Sequence, residues 1–264
     1  GVIKWGPVVL PGGGGGPPTV ADLDGDGRPE IGVAGASRYT VIGATGAIRW
    51  SAVIQDGSSA VTGSSVFDFD GDGRAEVVYR DELRLRIYRG ADGVVLFDSP
   101  LSSCTGYEYM PIVDIDGDGS AEIVASANDC GGFGSQRGIL VYGDAGTGWT
   151  QTRSIWNQHS YHVTNVTEDG GVPKREAISW LVPGLNSFRL NAWGPSDVAF
   201  ADSFTYRAND GSVNSNEATV FLNLRQTNHA PVFTSAAPLT ATAGLAYSYQ
   251  SGAIDPDGDR ALTF

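Results

Sequence analysis

The sequence predicts an all-β protein, and three observations carry that expectation. Short alternating apolar runs are broken throughout by Gly, Asp, Asn and Ser, and no long stretch has helical period. The 264 residues include 37 Gly and 13 Pro, a composition rich in turn formers. One acidic motif also returns: "DLDGDGRPE" starts at Asp22, "DFDGDGRAE" at Asp68 and "DIDGDGSAE" at Asp114, so both intervals are 46 residues. Self-similarity at such a period marks stacked units or propeller blades.

Each unit reads as four strands. A short apolar strand precedes the motif: "PTVADL", "SSVFDF" and "MPIVDI". A second follows it: "EIGVAG", "EVVYRD" and "EIVASA". A third comes next, "YTVIGA", "LRIYRG" and "ILVYGD", and a Gly-rich turn leads to a fourth, "GAIRW", "GVVLF" and "GWTQT". Four strands per unit of this length predict β-propeller-type blades. "GVIKW" at residues 1–5 matches "GAIRW" at 46–50 and reads as the tail strand of an earlier blade. Three full blades are too few to close a ring, so the ring is expected to be incomplete, its edges covered by further blades or by other chains.

Composition narrows the function. Net charge is −13 with 17 Lys and Arg, and no basic cluster is present to neutralise phosphates, which argues against nucleic acid and anionic membrane surfaces. No apolar run approaches the ~20 residues of a membrane span. No signal peptide is recognisable and the first residue is Gly1, so the sequence reads as a processed or partial chain. Cys104 and Cys130 flank the third motif; a disulfide is expected over free thiols or a metal pair, and it implies an oxidising, extracytoplasmic setting.

The acidic motif has the chemistry of a cation loop. Asp22, Asp24, Asp26 and Glu30 occupy positions 1, 3, 5 and 9, Gly27 allows a sharp turn at position 6, and Arg28 offers its carbonyl at position 7. The second set is Asp68, Asp70, Asp72, Arg74 and Glu76; the third is Asp114, Asp116, Asp118, Ser120 and Glu122. Four carboxylates this close repel one another unless a cation joins them. All-oxygen ligands on a flexible loop suit Ca²⁺ better than octahedral Mg²⁺, so about three Ca²⁺ sites are expected. The bland alternative, a solvated Asp-Gly turn, is weakened by three copies in fixed register. Catalysis by paired carboxylates is not expected, because acids committed to a cage have no free proton to give. No nucleophile elbow, zinc-protease or phosphate-loop motif is present, so no catalytic residue is assigned.

"DxDGDGxxE" between two short strands at this period resembles the FG-GAP, or VCBS, repeat of integrin-alpha-type propellers, over residues 1–150. The resemblance implies a mostly structural Ca²⁺ in each loop. The strict "FG…GAP" signature is degenerate here. Residues 151–195 break the pattern and read as a Trp-, His- and Asn-rich degenerate blade or connector. His159 and His162 lack a third ligand, and packing is the expected role. Asn165, Thr167 and Asp169 look like a decayed fourth loop, and Asn165 also heads a glycosylation sequon. Residues 196–229 resemble the terminal strands of a cadherin-like, Ig-like β-sandwich repeat, and residues 230–264 the opening half of the next. There Asp255, Asp257 and Asp259 form an acidic turn that either binds Ca²⁺ at a module junction, perhaps with Asn228, or is a plain hairpin.

Three functions follow as expectations. The first is a calcium-stabilised, non-catalytic extracellular or surface module, structural and adhesive, with an extracellular protein or glycan as partner. The second is a filament subunit completed by like chains in a homopolymer. The third is the non-catalytic part of a larger secreted carbohydrate-active enzyme, with Trp149, Trp156, Trp180 and Trp193 as candidates for stacking on sugars.

Overall fold

The structure, a computed structural model, describes residues 1–145, 148–167, 170–176, 179, 187–191, 200–207, 211–215, 218–224, 232–233 and 253–254. The chain divides into two units, Gly1–Val198 and Ala199–Phe264. The described residues are all-β apart from two short 3₁₀ turns, Cys130–Gly132 and Val163–Asn165. The acidic turn at 255–259, Asn228, Asp169, Trp180 and Trp193 lie outside the described residues.

The first unit repeats one antiparallel sheet. Strands β1 (Thr19–Ala21), β2 (Glu30–Ala34), β3 (Arg38–Ile42) and β4 (Ile48–Val53) pair in chain order. So do β5 (Ser64–Phe67), β6 (Glu76–Arg80), β7 (Arg84–Tyr88) and β8 (Val95–Pro100). The third sheet holds β9 (Ile112–Val113), β10 (Glu122–Ala127) and β11 (Gly138–Tyr142). The fourth strand read in "GWTQT" does not form there: Trp149 stacks 4.6 Å from Phe69, and Gln151 makes only a bridge to Ser120. Residues 1–5 are likewise not a strand.

The core lies between successive sheets. β6 is buried along its whole length because both faces are covered. Val77 and Tyr79 turn to a cluster with Tyr39, Val41, Trp50 and Tyr88, while Val78 turns to Phe67, Leu85, Ile112 and Ile123, as period-2 alternation requires. Full burial of each such side chain stabilises by about 1.5–3 kcal/mol. Each fourth-strand Trp docks on a hairpin turn of the next repeat. The Trp50 indole donates to the Gly90 carbonyl at 2.6 Å, and Trp5 donates to Ala44 at 3.0 Å, so residues 1–5 keep the repeat's docking contact without its strand pairing.

Segment 187–191 crosses all three sheets at repeat-equivalent positions. Phe188 pairs with Val20, the Val66 amide donates to Arg189 at 3.0 Å, and Asn191 Nδ2 donates to Ile112 at 2.8 Å. Those three targets are 46 residues apart in sequence.

In the second unit, β12 (Phe200–Tyr206) pairs antiparallel with β13 (Ala218–Leu224), as the hairpin reading expects. β14 (Val232–Phe233) pairs with β15 (Ala253–Ile254).

Candidate metal centres

Strand register places the acids. Position 1 follows the end of the first strand of each sheet, and position 9 opens the second. Glu30 sits opposite Ala21, Glu76 opposite Phe67 and Glu122 opposite Val113, so the ladder itself returns the Glu to the loop. Both glycines of each "DGDG" have positive φ, from +74° at Gly71 to +92° at Gly119, which excludes most other residues.

The three loops share one hydrogen-bond pattern. The amides of Gly25, Gly71 and Gly117 each donate to the position-1 carboxylate at 2.7 Å. Those of Gly27, Gly73 and Gly119 donate to its other oxygen at 2.8, 2.9 and 3.2 Å. The amides of Leu23, Phe69 and Ile115 donate to the position-9 Glu at 3.0, 3.0 and 2.9 Å.

The result is three acid clusters: Asp22, Asp24 and Glu30; Asp68, Asp70 and Glu76; Asp114, Asp116 and Glu122. Within each, carboxylate oxygens from all three residues lie within 4.8 Å of one another. Each cluster is able to hold a metal ion. The donors are all hard oxygens, which fits a Ca²⁺-type cation rather than zinc or copper. Asp26, Asp72 and Asp118, expected as ligands, are not in the clusters. Their carboxylates accept the amides of Arg28, Arg74 and Ser120 at 2.8–2.9 Å, closing Asx turns.

Burial makes the clusters costly to ionise. Desolvation pushes Glu76 up to about 7, and the nearby Asp70, Asp68 and Asp72 charges raise it further against the Phe69 amide. Glu30, Glu122 and Asp68 are raised for the same leading reason.

Sequence reading missed the cationic and strand neighbours of the loops. Arg49, on β4, forms an ion pair with Asp24. The Ala75 amide donates to the Asp22 carbonyl at 3.1 Å, so loops 1 and 2 touch directly. Between loops 2 and 3, Thr150 intervenes: its amide donates to Phe69 at 2.9 Å and its carbonyl accepts Ala121 at 3.1 Å. An Arg or Thr inside a strand pattern carries no sign of which loop it will meet.

The other expected features resolve separately. Cys104 and Cys130 form a disulfide. Asn165 donates to Ser160 at 2.8 Å and accepts the His162 amide at 3.2 Å. His159 packs edge-on to Tyr109, and His162 bonds Glu176. They do not flank a common strand, so alternation does not apply to them. Trp156 stacks on Tyr161 and Tyr109, which makes it a packing residue.

A family model described as the FG-GAP-like repeat matches residues 68–125, which span the second and third loops. The chain is also similar to the crystal structure of the V. cholerae biofilm matrix protein Bap1, with a TM-score of 0.58 and 33% identity. That likeness covers 61% of this chain and 27% of the Bap1 chain, so it spans about a quarter of that protein. No curated protein matches.

Proposed function

We propose that the chain is a calcium-stabilised, non-catalytic extracellular module of structural and adhesive type, with its three sheets as propeller-type blades. One observation carries the reading: three acid clusters recur at repeat-equivalent positions with the same backbone cradle. In each, the position-1 and position-3 Asp and the position-9 Glu would hold the cation, with the carbonyls of Arg28, Arg74 and Ser120 as further donors. The ion would neutralise carboxylates that burial and mutual repulsion otherwise penalise. Threefold repetition supports a structural use over a single active site. The disulfide and the likeness to a biofilm matrix protein support an extracellular setting. The partner chemistry is an extracellular protein, a glycan or like subunits.

Calorimetric titration with Ca²⁺, paired with melting curves, tests this. About three equivalents of heat-producing binding and a rise in melting temperature are expected. No binding up to millimolar Ca²⁺, with unchanged melting, overturns the reading.

A further inference from the structure

We propose that the free edge of β11 takes up residues Gly1–Trp5 of a second copy of this chain as a fourth strand, joining copies head to tail. The inference needs the repeat geometry and not the calcium reading, so a failed calcium titration leaves it standing.

The acceptor is the third sheet, which is one strand short. β3 and β7 each pair with a fourth strand, whereas β11 pairs only with β10. Its outer backbone groups therefore form an open template. The face beside that edge is uncovered as well. Ile139 is 67% exposed, while its repeat equivalents Tyr39 and Leu85 are each at 0%. Val141 is 48% exposed, against 1% for Val41 and 4% for Ile87. In the first two sheets the next repeat covers these positions; in the third they face solvent.

The donor already carries the missing strand's sequence and half its contacts. Gly1, Ile3 and Trp5 match Gly46, Ile48 and Trp50, with Lys4 in the place of Arg49. Val2 and Ile3 are exposed and unpaired in a strand sense, yet Trp5 sits on the turn of the first sheet as Trp50 sits on the turn of the second. Trp50 stands opposite Val41 and Ile48 opposite Ile42 in the β3–β4 ladder. The same register would set Trp5 of one copy opposite Val141 of the other, and Ile3 opposite Tyr142. The first sheet of the incoming copy would then cover Ile139 and Val141, as the second sheet covers Tyr39 and Val41.

Charge agrees with that register. Arg49 on β4 forms an ion pair with Asp24 in the loop of its own sheet. Lys4, standing in for Arg49, would meet Asp116, the equivalent acid of the third loop. Because donor and acceptor are different surfaces, the contact is heterologous and propagates.

Sedimentation velocity on the full chain, from about 1 µM to about 300 µM, tests the proposal. The chain is expected to form a concentration-dependent series of oligomers. Ile3→Asp disables the donor and Ile139→Lys the acceptor; both positions are exposed, so neither change disturbs folding. Each variant alone should weaken association by about tenfold or more, by placing a charge in the new strand pair or on its covered face. Mixed together, the two variants should form dimers and nothing larger, because each retains one working surface. A chain that stays monomeric throughout overturns the proposal. So does association that both substitutions leave unchanged, or a mixture that behaves as its separate components.

Discussion

At the residue scale, Glu76 concentrates the consequences of the fold. Its folded-state pKa, about 7, lies above the ordinary 4.5 because burial disfavours the carboxylate and three Asp charges add to that. A raised pKa means that the folded state binds the proton more tightly than the unfolded chain does. The ionised Glu76 therefore costs stability above pH 7, and that cost fades as pH falls toward 4.5. Melting of the chelator-treated protein should thus rise as pH is lowered from about 8 to about 5.5. Ca²⁺ binding requires the deprotonated carboxylate, so its stabilising effect should run the other way and grow with pH. Melting curves with and without the ion across that range check both signs. Glu76→Gln should flatten the metal-free pH dependence and lower the affinity of that one site by about tenfold or more, read as one weakened step in calorimetry. The acids at positions 1, 3 and 9 were legible from spacing alone, because strand register must bring position 9 back. Asp26, Asp72 and Asp118 were not: a short Asp side chain chooses between a cation and the amide two residues on, and spacing is the same for both.

At the element scale, the hairpin turn and the Trp that docks on it form one device. Gly93 has φ of +75°, and a Cβ built there would lie 2.6 Å from the Trp50 ring. Gly93→Ala should therefore strain the turn and displace the indole, at a cost of about 2–4 kcal/mol in urea unfolding. Gly46→Ala should cost less, because its Trp5 is partly exposed and free to swing away. The Cys104–Cys130 bridge closes a loop of 26 residues, for which chain entropy gives about 3.5 kcal/mol. Replacing both cysteines by Ser should lower the unfolding free energy by about that amount and leave the first two sheets folded, as denaturation followed by Trp50 fluorescence would show. Eleven strands of the first unit follow the period-2 reading closely. "GWTQT" defeats that reading, because its alternation serves equally well to pair with β11 or to run between two loops. Trp149 on Phe69 and Thr150 between loops 2 and 3 decide for the second, and both are long-range contacts that periodicity does not encode.

At the scale of the whole first unit, the crossing segment 187–191 ties the repeats together. The 46-residue period announced three like units, but nothing periodic marks the return of Phe188, Arg189 and Asn191 to Val20, Val66 and Ile112. That part of the fold is tertiary information, carried by side-chain fit rather than pattern. Asn191 is fully buried, and its amide donates to Ile112, Arg153 and Ile155 at 2.8, 3.2 and 3.3 Å. Asn191→Leu keeps the volume but leaves those carbonyls without their donor in a dry site, a loss of about 2–4 kcal/mol. The damage should be unequal across the repeats. The backbone bonds from Phe188 and Arg189 to β1 and β5 survive the substitution, whereas the tie to β9 is made by the Asn191 side chain itself. Hydrogen exchange should then show β10 losing protection while β2 and β6 keep theirs, which would make the third sheet a separately opening unit. An equal loss in β2, β6 and β10 would instead mean that the three sheets open as one, with the packing between them, rather than the crossing segment, setting their cooperativity.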